Sequence, residues 1–251
     1  MIVDITRLLK AIACLLAMCS VAPSAIAGKT ADLERLKQKI KDHDRKNELL
    51  DLSGFDLSNM TIRGLDLTGV NFKRANLRNT TFENVTLNHA SFEGAKAQNV
   101  TFRNCSFNSA RMAGVNLCET TIDDCFFMDA RLNNAIFLRA NLRNCRFHRA
   151  FMSKTDFREV SVSNSNFQNA RLRNSRWSRS TVRDSRFSDA DLRHADLNGF
   201  NGARIDFTNT ILAQTHKRGF KCHRCAYSEH FAGHPQDNKE KYGIAHLDVA
   251  E

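Results

Sequence analysis

The sequence predicts an all-β solenoid, and three features of the chain support this prediction. A large apolar residue occurs at every fifth position from Leu52 to Leu212, and only Ala97 and Gly202 depart from this rule among thirty-three positions. The residue two places earlier is usually small, at twenty-seven of the thirty-three positions. The residue two places later is Asn, Gly or Asp at twenty-one of thirty-two positions, as turns require. A period of five fits neither a helix nor a strand, so it indicates a unit that turns a corner each time.

Short runs within this pattern resemble A(D/N)LXX, the repeat unit of the pentapeptide-repeat family. The runs ANLRN at 75–79 and ADLRH at 190–194 are two examples, and the register covers residues 50–212. The resemblance implies a right-handed quadrilateral β-helix with four units in each coil. At a strand separation of roughly 4.8 Å, about eight coils would form a rod of roughly 40 Å.

Residues twenty positions apart provide a check on four units per coil, because such residues would stack in columns. Phenylalanine occurs six times in succession at this spacing: Phe107, Phe127, Phe147, Phe167, Phe187 and Phe207. The neighbouring column contains Cys105, Cys125 and Cys145 at inward positions, where cysteine acts as a compact hydrophobe. A disulfide between adjacent coils is the alternative, since disulfide geometry tolerates their spacing. Cys118 follows an inward leucine and is predicted to lie at the surface.

Large residues replace the small inward ones only at the two ends of the repeat region. They are Leu50, Phe55, Met60, Leu65, Phe200 and Ile205. Because a solenoid must close its interior off from water at both ends, these residues are predicted to cap the core.

Residues 1–27 are typical of a secretory signal peptide. Arg7 and Lys10 form a short basic region, residues 11–22 are mainly apolar, and the run AIA at 25–27 fits the small-x-small rule of signal peptidase. We therefore expect a bacterial Sec substrate that resides in the periplasm or is secreted.

Cleavage after Ala27 would start the mature chain at Gly28. An uncleaved membrane anchor is one alternative, although the apolar stretch is short for a bilayer span. A lipoprotein signal ending at Cys19 is another, but Met18 replaces the usual small residue before the cysteine.

Residues 28–49 precede the repeats and are predicted to form a capping α-helix. Thr30 is a suitable N-cap, and Leu33, Leu36 and Ile40 lie along one side of the helix. The first coil of a solenoid exposes an apolar end and unpaired backbone groups, so a lid is expected there. A partner-binding or dimerising helix is the alternative. Members of the family also pair end to end through a terminal coil, so a homodimer is a further hypothesis.

The repeat pattern is lost in the predicted tail, residues 213–251. Cys222, Cys225, His230 and His234 follow C-x2-C-x4-H-x3-H spacing, which could close a tetrahedral zinc site. A Cys222–Cys225 disulfide is favoured over zinc because export implies an oxidising compartment. A redox-active pair is a third hypothesis, although no thioredoxin-like βαβ pattern surrounds these cysteines.

The chain is basic, and arginine supplies most of the excess charge in the repeats. The formal net charge is +10, and residues 101–210 contain sixteen arginines and one lysine against eleven acidic residues. Guanidinium groups bind carboxylates and phosphates in bidentate geometry, so the rod is suited to anionic partners. The twenty-residue register places arginines in three outward columns: Arg103, Arg143 and Arg183; Arg146 and Arg186; and Arg111, Arg131 and Arg171.

Phe126 and Phe151 are predicted at outward positions within these columns. An apolar side chain at such a position, flanked by arginine, indicates a contact surface. The predicted binding surface comprises Arg111, Arg131, Arg143, Arg146, Arg171, Arg183, Arg186, Phe126 and Phe151. In the alternative interpretation the arginines shield a soluble rod and pair with Asp123, Asp129 and Asp189.

The sequence contains no arrangement typical of an enzyme. Its histidines in the repeats fall in different columns, and it has no phosphate-binding glycine loop, G-x-S-x-G elbow or H-E-x-x-H helix. Some pentapeptide-repeat proteins resemble B-form DNA through an acidic surface and act on topoisomerases, but this chain is basic and begins with an export signal. Nucleic acid binding is allowed by the charge but disfavoured by the compartment and by the poor base-stacking platform.

These features predict a non-catalytic, exported scaffold that binds a protein or an anionic envelope component through the predicted binding surface. A secreted effector acting on a host target is the second hypothesis. A zinc or thiol-redox module in the tail, supported by the solenoid, is the third. No membrane span is expected after signal cleavage, and zinc in the tail is the one cofactor that the sequence suggests.

Overall fold

The structure, a computed structural model, describes residues 49–228 of the 251-residue chain. Within that range it is a right-handed β-solenoid of parallel strands without a helix, which confirms the predicted fold class. The predicted signal peptide, the capping helix apart from Leu49, and the histidines His230 and His234 lie outside the described residues. In the described range no helix is long and apolar enough to cross a membrane.

Short parallel strands run along the solenoid at intervals of twenty residues. They are β1 (Thr61–Arg63), β2 (Thr81–Glu83), β3 (Thr101–Arg103), β4 (Thr121–Asp123), β5 (Asn141–Arg143), β6 (Ser161–Ser163), β7 (Thr181–Arg183), β8 (Asn201–Ala203), β9 (Asp206–Phe207), β10 (Lys221–His223) and β11 (Ala226–Tyr227). Strands β1 to β8 and β10 form one nine-stranded sheet, and β9 pairs with β11. Thr61 pairs with Thr81, and every later pair keeps the same offset, which confirms the predicted twenty-residue period.

Each coil has four faces, and each face consists of one five-residue unit. Face 1 is the nine-stranded sheet. Face 2 contains the bridges that run from Asp66 to Asp206, face 3 those from Asp51 to Ile211, and face 4 those from Asp56 to His216. The large residue of a unit and the residue two places before it point inward, whereas the residues on either side of the large residue point outward. The outward positions therefore determine what each face can bind.

The interior is packed by stacked side chains, and the predicted phenylalanine column is confirmed. Its rings at Phe107, Phe127, Phe147, Phe167 and Phe187 are buried, with successive centroids 4.7 or 4.8 Å apart. On face 4, Phe157 and Trp177 stack with centroids 4.1 Å apart. Stacked aromatic pairs contribute about 0.5–1.5 kcal/mol each beyond the area that they bury.

The cysteine column also lies in the core. Cys105, Cys125 and Cys145 are buried free thiols, as predicted, and no disulfide joins them. Burial raises the pKa of the Cys145 thiol to about 12. Cys118 is half-buried on face 4, and burial raises the pKa of its thiol as well. The environments of Cys118 and Cys145 therefore do not activate a thiol, because nucleophilic attack needs the thiolate. The pKa of the Cys105 thiol is lowered instead, chiefly by its hydrogen bond with Cys125, but Cys105 is buried in the core.

The departure at Gly202 from the repeat pattern has a packing cause. A Cβ atom at Gly202 would lie 2.7 Å from the Sγ of Cys222, 2.7 Å from Cδ1 of Ile205 and 2.8 Å from Cε1 of Phe200. Phe200 and Ile205 are two of the residues predicted to close the core, and both are buried. The neighbouring side chains therefore occupy the space that a side chain at position 202 would need.

The coil continues past the predicted end of the repeats at residue 212. Strands β10 and β11 pair with β8 and β9, so the β-helix extends to Tyr227. Phe220 and Cys225 occupy the small inward positions and are buried. Lys217 occupies the large inward position on face 4, where burial lowers the pKa of its ammonium group to about 8. Backbone pairing thus continues for almost one coil after the apolar sequence pattern is lost.

Candidate binding surface

The structure places the predicted arginine columns on three adjacent faces of the solenoid. Arg111 pairs in register with Arg131, and Phe151 with Arg171, on face 3. Phe126 and Arg146 lie on face 2 with Arg186, and Arg143 and Arg183 lie on face 1. The arginines on face 1 come directly after the large inward residue of their unit. The arginines on faces 2 and 3 come directly before the large inward residue of theirs.

Many arginines of the repeats are held in ion pairs with a carboxylate one coil away. Arg143 donates to Asp123, with its Nε 2.8 Å from Oδ1. Arg149 binds Asp129 through two hydrogen bonds of 2.9 and 2.6 Å. These bonds are the largest cause that lowers the pKa of each carboxyl group. Asp123 and Asp129 therefore pair with arginine, as the alternative interpretation predicts. Arg143 is engaged in an ion pair within the protein.

Asp189 behaves differently from the other two carboxylates of that interpretation. Its Oδ1 accepts a hydrogen bond of 3.2 Å from the side-chain amide of Asn209. The neighbouring Asp184 is bound by Arg204 through bonds of 2.5 and 2.7 Å. Arg183 lies near Asp184 and lowers the pKa of that carboxyl group, although less than Arg204 does. Arg183 is thus partly compensated by a carboxylate.

Five arginines of the predicted binding surface form no ion pair with a carboxylate among residues 49–228. They are Arg111, Arg131, Arg146, Arg171 and Arg186, and all are exposed. All five occupy the outward position just before the large inward residue, on faces 2 and 3. We call these arginines, with Phe126 and Phe151, the arginine surface. Its guanidinium groups keep their hydrogen-bond donors available for an external anion.

Two of these arginines stack on the two outward phenylalanines with the same geometry. The guanidinium carbon of Arg146 lies 4.9 Å from the ring centroid of Phe126, and that of Arg171 lies 4.7 Å from the centroid of Phe151. In both pairs the ring belongs to the preceding coil. Cation–π stacking contributes about 0.5–1 kcal/mol at exposed sites. Neither guanidinium forms an ion pair among residues 49–228, so its N–H groups remain available to bind a carboxylate, phosphate or sulfate.

Face 3 has no acidic residue along its central part. The four units 110–114, 130–134, 150–154 and 170–174 contain four arginines and Lys154 but no Asp or Glu. Of these cations, Arg173 is bound to Asp191 of the next coil, at 2.5 Å. The remaining positive charge of these four units has no negative charge among the outward residues of the same units.

Some outward apolar residues are absent from the predicted binding surface. Met128 is 42 % exposed on face 2, next to Phe126 in the same coil. Ile136 and Leu138 are half-buried at the two outward positions of one unit on face 4. The five-residue register already places these residues outward, so the same test that identified Phe126 would have found them.

The two cysteines of the predicted tail are joined by a disulfide, Cys222–Cys225, with their Cα atoms 5.9 Å apart. Residues 49–228 contain no group of three or more His, Cys, Asp or Glu side chains that could hold a metal ion. His230 and His234 lie outside that range, so the zinc site stays a hypothesis. In the described residues Cys222 and Cys225 belong to the last coil and line its interior.

Solved structures of similar fold have low sequence identity to this chain. HetL from Nostoc sp. strain PCC 7120, involved in heterocyst differentiation regulation, is 17 % identical over 74 % of this chain and 93 % of HetL, with a TM-score of 0.35. A trypsin-treated QnrB1, a plasmid-mediated fluoroquinolone resistance protein, is 17 % identical over 73 % and 93 %, with a TM-score of 0.43. A pentapeptide repeat protein of the Arabidopsis thaliana thylakoid lumen is 17 % identical over 64 % and 66 %, with a TM-score of 0.15.

Sequence comparison identifies the family of this chain. No curated protein matches the chain at a significant level. The family model described as a pentapeptide repeat region matches residues 49–110 and 140–216, which is more than half of the chain. The four-sided coils and the twenty-residue register agree with that match. The protein belongs to the pentapeptide-repeat family.

Proposed function

We propose that the protein is a non-catalytic scaffold that binds an anionic partner through the arginine surface. The partner is a protein or an anionic component of the cell envelope. Pentapeptide-repeat proteins are generally structural or interaction proteins, which supports a binding role. The observation that carries the proposal is the set of five exposed arginines without a carboxylate partner, in a region where many other arginines have one.

The two classes of arginine differ in what they can offer a ligand. An arginine in a bidentate pair, such as Arg149 with Asp129, has already used its N–H fork and its charge is compensated. An arginine such as Arg131 or Arg171 presents both to the solvent. The half-buried rings of Phe126 and Phe151 add apolar contact area between these charges. Arginine and aromatic residues together are the composition enriched at the centres of protein interfaces.

The test compares two variants with the same change in charge. The surface variant carries Arg131→Gln, Arg146→Gln and Arg171→Gln, and the control variant carries Arg143→Gln, Arg149→Gln and Arg204→Gln at ion-paired positions. Each is titrated with polyglutamate and with vesicles containing anionic phospholipid, and each is used for cross-linked capture from the cell envelope. We expect the surface variant to bind at least about ten-fold more weakly than the control, because it loses free donors.

Two results would contradict the proposal. The surface and control variants could lose affinity equally, in which case the net charge alone determines binding. Alternatively, the surface variant could retain full affinity while its circular dichroism and unfolding midpoint show an intact fold. Replacing Phe126 and Phe151 by threonine, which suits an outward strand position, tests the contribution of the rings separately.

We propose further that the protein is exported. The motif in residues 1–27 supports a Sec signal peptide cleaved after Ala27. Intact mass measurement of the protein from a fractionated bacterial cell tests this, because cleavage predicts a chain that begins at Gly28. A full-length chain in the cytoplasmic fraction would contradict export. A protein confined to the periplasm would contradict the secreted-effector hypothesis but not the scaffold.

A further inference from the structure

The Cys222–Cys225 disulfide lies inside the last coil and crosses one of its corners. Cys222 takes the large inward position on face 1, and Cys225 takes the small inward position on face 2. The turn between them consists of His223 and Arg224, which are exposed. Covalent closure of this corner occurs where no further coil is present among the described residues to hold β10 and β11 by pairing on their other side.

The packing around this disulfide depends on the bond. The Sγ of Cys222 fills the space above Gly202, where a Cβ atom would be 2.7 Å away. Cys225 is buried, whereas Cys222 is partly exposed. Two thiol sulfurs must separate to van der Waals distance, and the crowded site between Phe200 and Ile205 leaves little room for this. The disulfide is therefore part of the cap that closes the core at this end.

The chain around this disulfide is cationic, because Lys221 and Arg224 are the sequence neighbours of Cys222 and Cys225. Residues 207–228 contain Lys217, Arg218, Lys221 and Arg224 and no acidic residue. The carboxylate of the preceding coil on face 2 is Asp206, the ladder partner of Ala226. Nearby cations stabilise a thiolate and so make it a better leaving group in thiol–disulfide exchange.

We propose that Cys222–Cys225 is a reversible redox site that controls the closure of the C-terminal end of the β-helix. A thiolate of a dithiol reductant attacks the Sγ of Cys222, which is the more exposed residue of the pair, and the S–S bond breaks with Cys225 leaving as a thiolate. The second thiol of the reductant then attacks the mixed disulfide and releases Cys222. Two electrons and two protons pass to the cysteine pair, and the reductant becomes a disulfide.

Reduction is expected to loosen the last coil and leave the others unchanged. The backbone amides of Lys221 and Ala226 donate to the carbonyl oxygens of Phe200 and Ile205, both at 2.9 Å, and the amide of Arg204 donates to His223 at 2.8 Å. These bonds attach the last coil to the one before it. In a solenoid each coil contacts its neighbours alone, so a terminal coil can open without unfolding the rest.

The experiment measures amide hydrogen exchange of the full chain before and after treatment with dithiothreitol under native conditions. A background with Cys14→Ser, Cys19→Ser and Cys118→Ser leaves only the buried Cys105, Cys125 and Cys145 besides the pair, so maleimide labelling under native conditions reports on the pair. We expect two new labelled thiols and about ten-fold or greater acceleration of exchange at Lys221, Ala226 and Arg204. Exchange at Thr181 should stay unchanged, and reoxidation should restore protection.

A variant with Cys222→Ser and Cys225→Ser distinguishes the effect of losing the disulfide from any other effect of dithiothreitol. It should show the accelerated exchange without any reductant and should not respond to dithiothreitol. The proposal is overturned if the native disulfide resists dithiothreitol, or if the reduced protein and this variant keep the protection of the oxidised chain. Anion binding by the arginine surface is independent of these outcomes, because its residues lie on earlier coils.

Discussion

At the scale of single residues, the backbone conformation at the corners influences which residues occur there. Every residue two places after a large inward position, from Gly54 to Arg224, has a positive φ. Asn, Gly and Asp tolerate this conformation, which explains their frequency there. Arg139 and Glu159 also adopt it, with φ of 57° in both. The hydrogen bonds between coils therefore hold even unfavourable residues in the left-handed region.

Gly202→Ala tests the packing of the C-terminal cap. The added Cβ would lie within 2.8 Å of three side chains, so we expect a loss of about 1–3 kcal/mol in the free energy of unfolding. Urea denaturation measures it. Gly202→Ala should cost less in a Cys222→Ala background than in the native chain, since the Sγ atom is one of the three neighbours. An alanine variant as stable as the wild type would show that this packing is loose.

The buried thiol of Cys145 should make stability depend on alkaline pH. Its pKa is raised by burial from an ordinary value of 9.0 to about 12. Since the folded-state pKa is the higher one, its stabilising contribution is complete below pH 9 and is lost as the pH rises toward 12. Between about pH 8 and about pH 10.5, ionisation of this thiol in the unfolded state should lower the free energy of unfolding of the wild type by about 2 kcal/mol.

Cys145→Ala provides the comparison, judged by the slope of stability against pH because the variant also creates a small cavity. Urea unfolding at several pH values should give a shallower slope for the variant. Equal slopes would mean that the Cys145 thiol does not contribute to alkaline destabilisation.

At the scale of elements, the coil is the unit of stability, and the stacked interior joins one coil to the next. Phe147 contacts Phe127 and Phe167 in the column, at 4.7 and 4.8 Å. Phe167 contacts Trp177 edge to face, at 5.6 Å. The exposed ion pairs between coils add less, since surface pairs contribute about 0–1 kcal/mol. The aromatic columns are therefore expected to determine the cooperativity between coils.

Phe147→Ala should lower the free energy of unfolding by about 3–5 kcal/mol, because it removes a buried ring and two stacking contacts. Phe147→Leu keeps most of the volume and should cost clearly less. Unfolding in urea is followed by the fluorescence of Trp177, the single tryptophan. If the alanine variant lost less than about 1 kcal/mol, neighbouring side chains must collapse into the space.

At the scale of the whole molecule, charge is distributed unevenly around and along the rod. Carboxylates compensate arginines at the corners and on face 1, whereas the centre of face 3 carries cations without acidic residues. Uncompensated charge of this kind steers an anionic partner and makes association sensitive to salt.

The salt dependence of binding should therefore distinguish the two arginine variants. Affinity for polyglutamate should fall with ionic strength for the wild type and for the ion-paired control variant. The slope of log affinity against log salt should be shallower for the surface variant, because fewer free charges meet the anion. Titrations by fluorescence anisotropy at several salt concentrations provide the slopes. The arginine surface would be excluded as the contact if all three proteins had the same slope.

Periodicity determined the repeating unit of this protein, and the resemblance to the pentapeptide-repeat family implied the quadrilateral β-helix. The positions of Leu52 to Leu212 specified which side chains point inward, and the twenty-residue spacing of Phe107 to Phe207 specified the columns. The inward positions and the columns could be predicted from the sequence because a solenoid repeats one local geometry. Sequence separation therefore corresponds directly to spatial separation. The outward position of Phe126 and Phe151 followed from the same rule.

Contacts between columns and between faces were decided by the tertiary structure. Arg143 and Arg146 are both arginines at outward positions, yet Arg143 binds Asp123 and Arg146 lies over the ring of Phe126. That choice depends on side-chain distances across the coils, which periodicity does not specify. The extension of the β-helix to Tyr227 was likewise invisible in the sequence. Backbone hydrogen bonding to the preceding coil, closed by the Cys222–Cys225 disulfide, maintains the fold where the apolar pattern has ended.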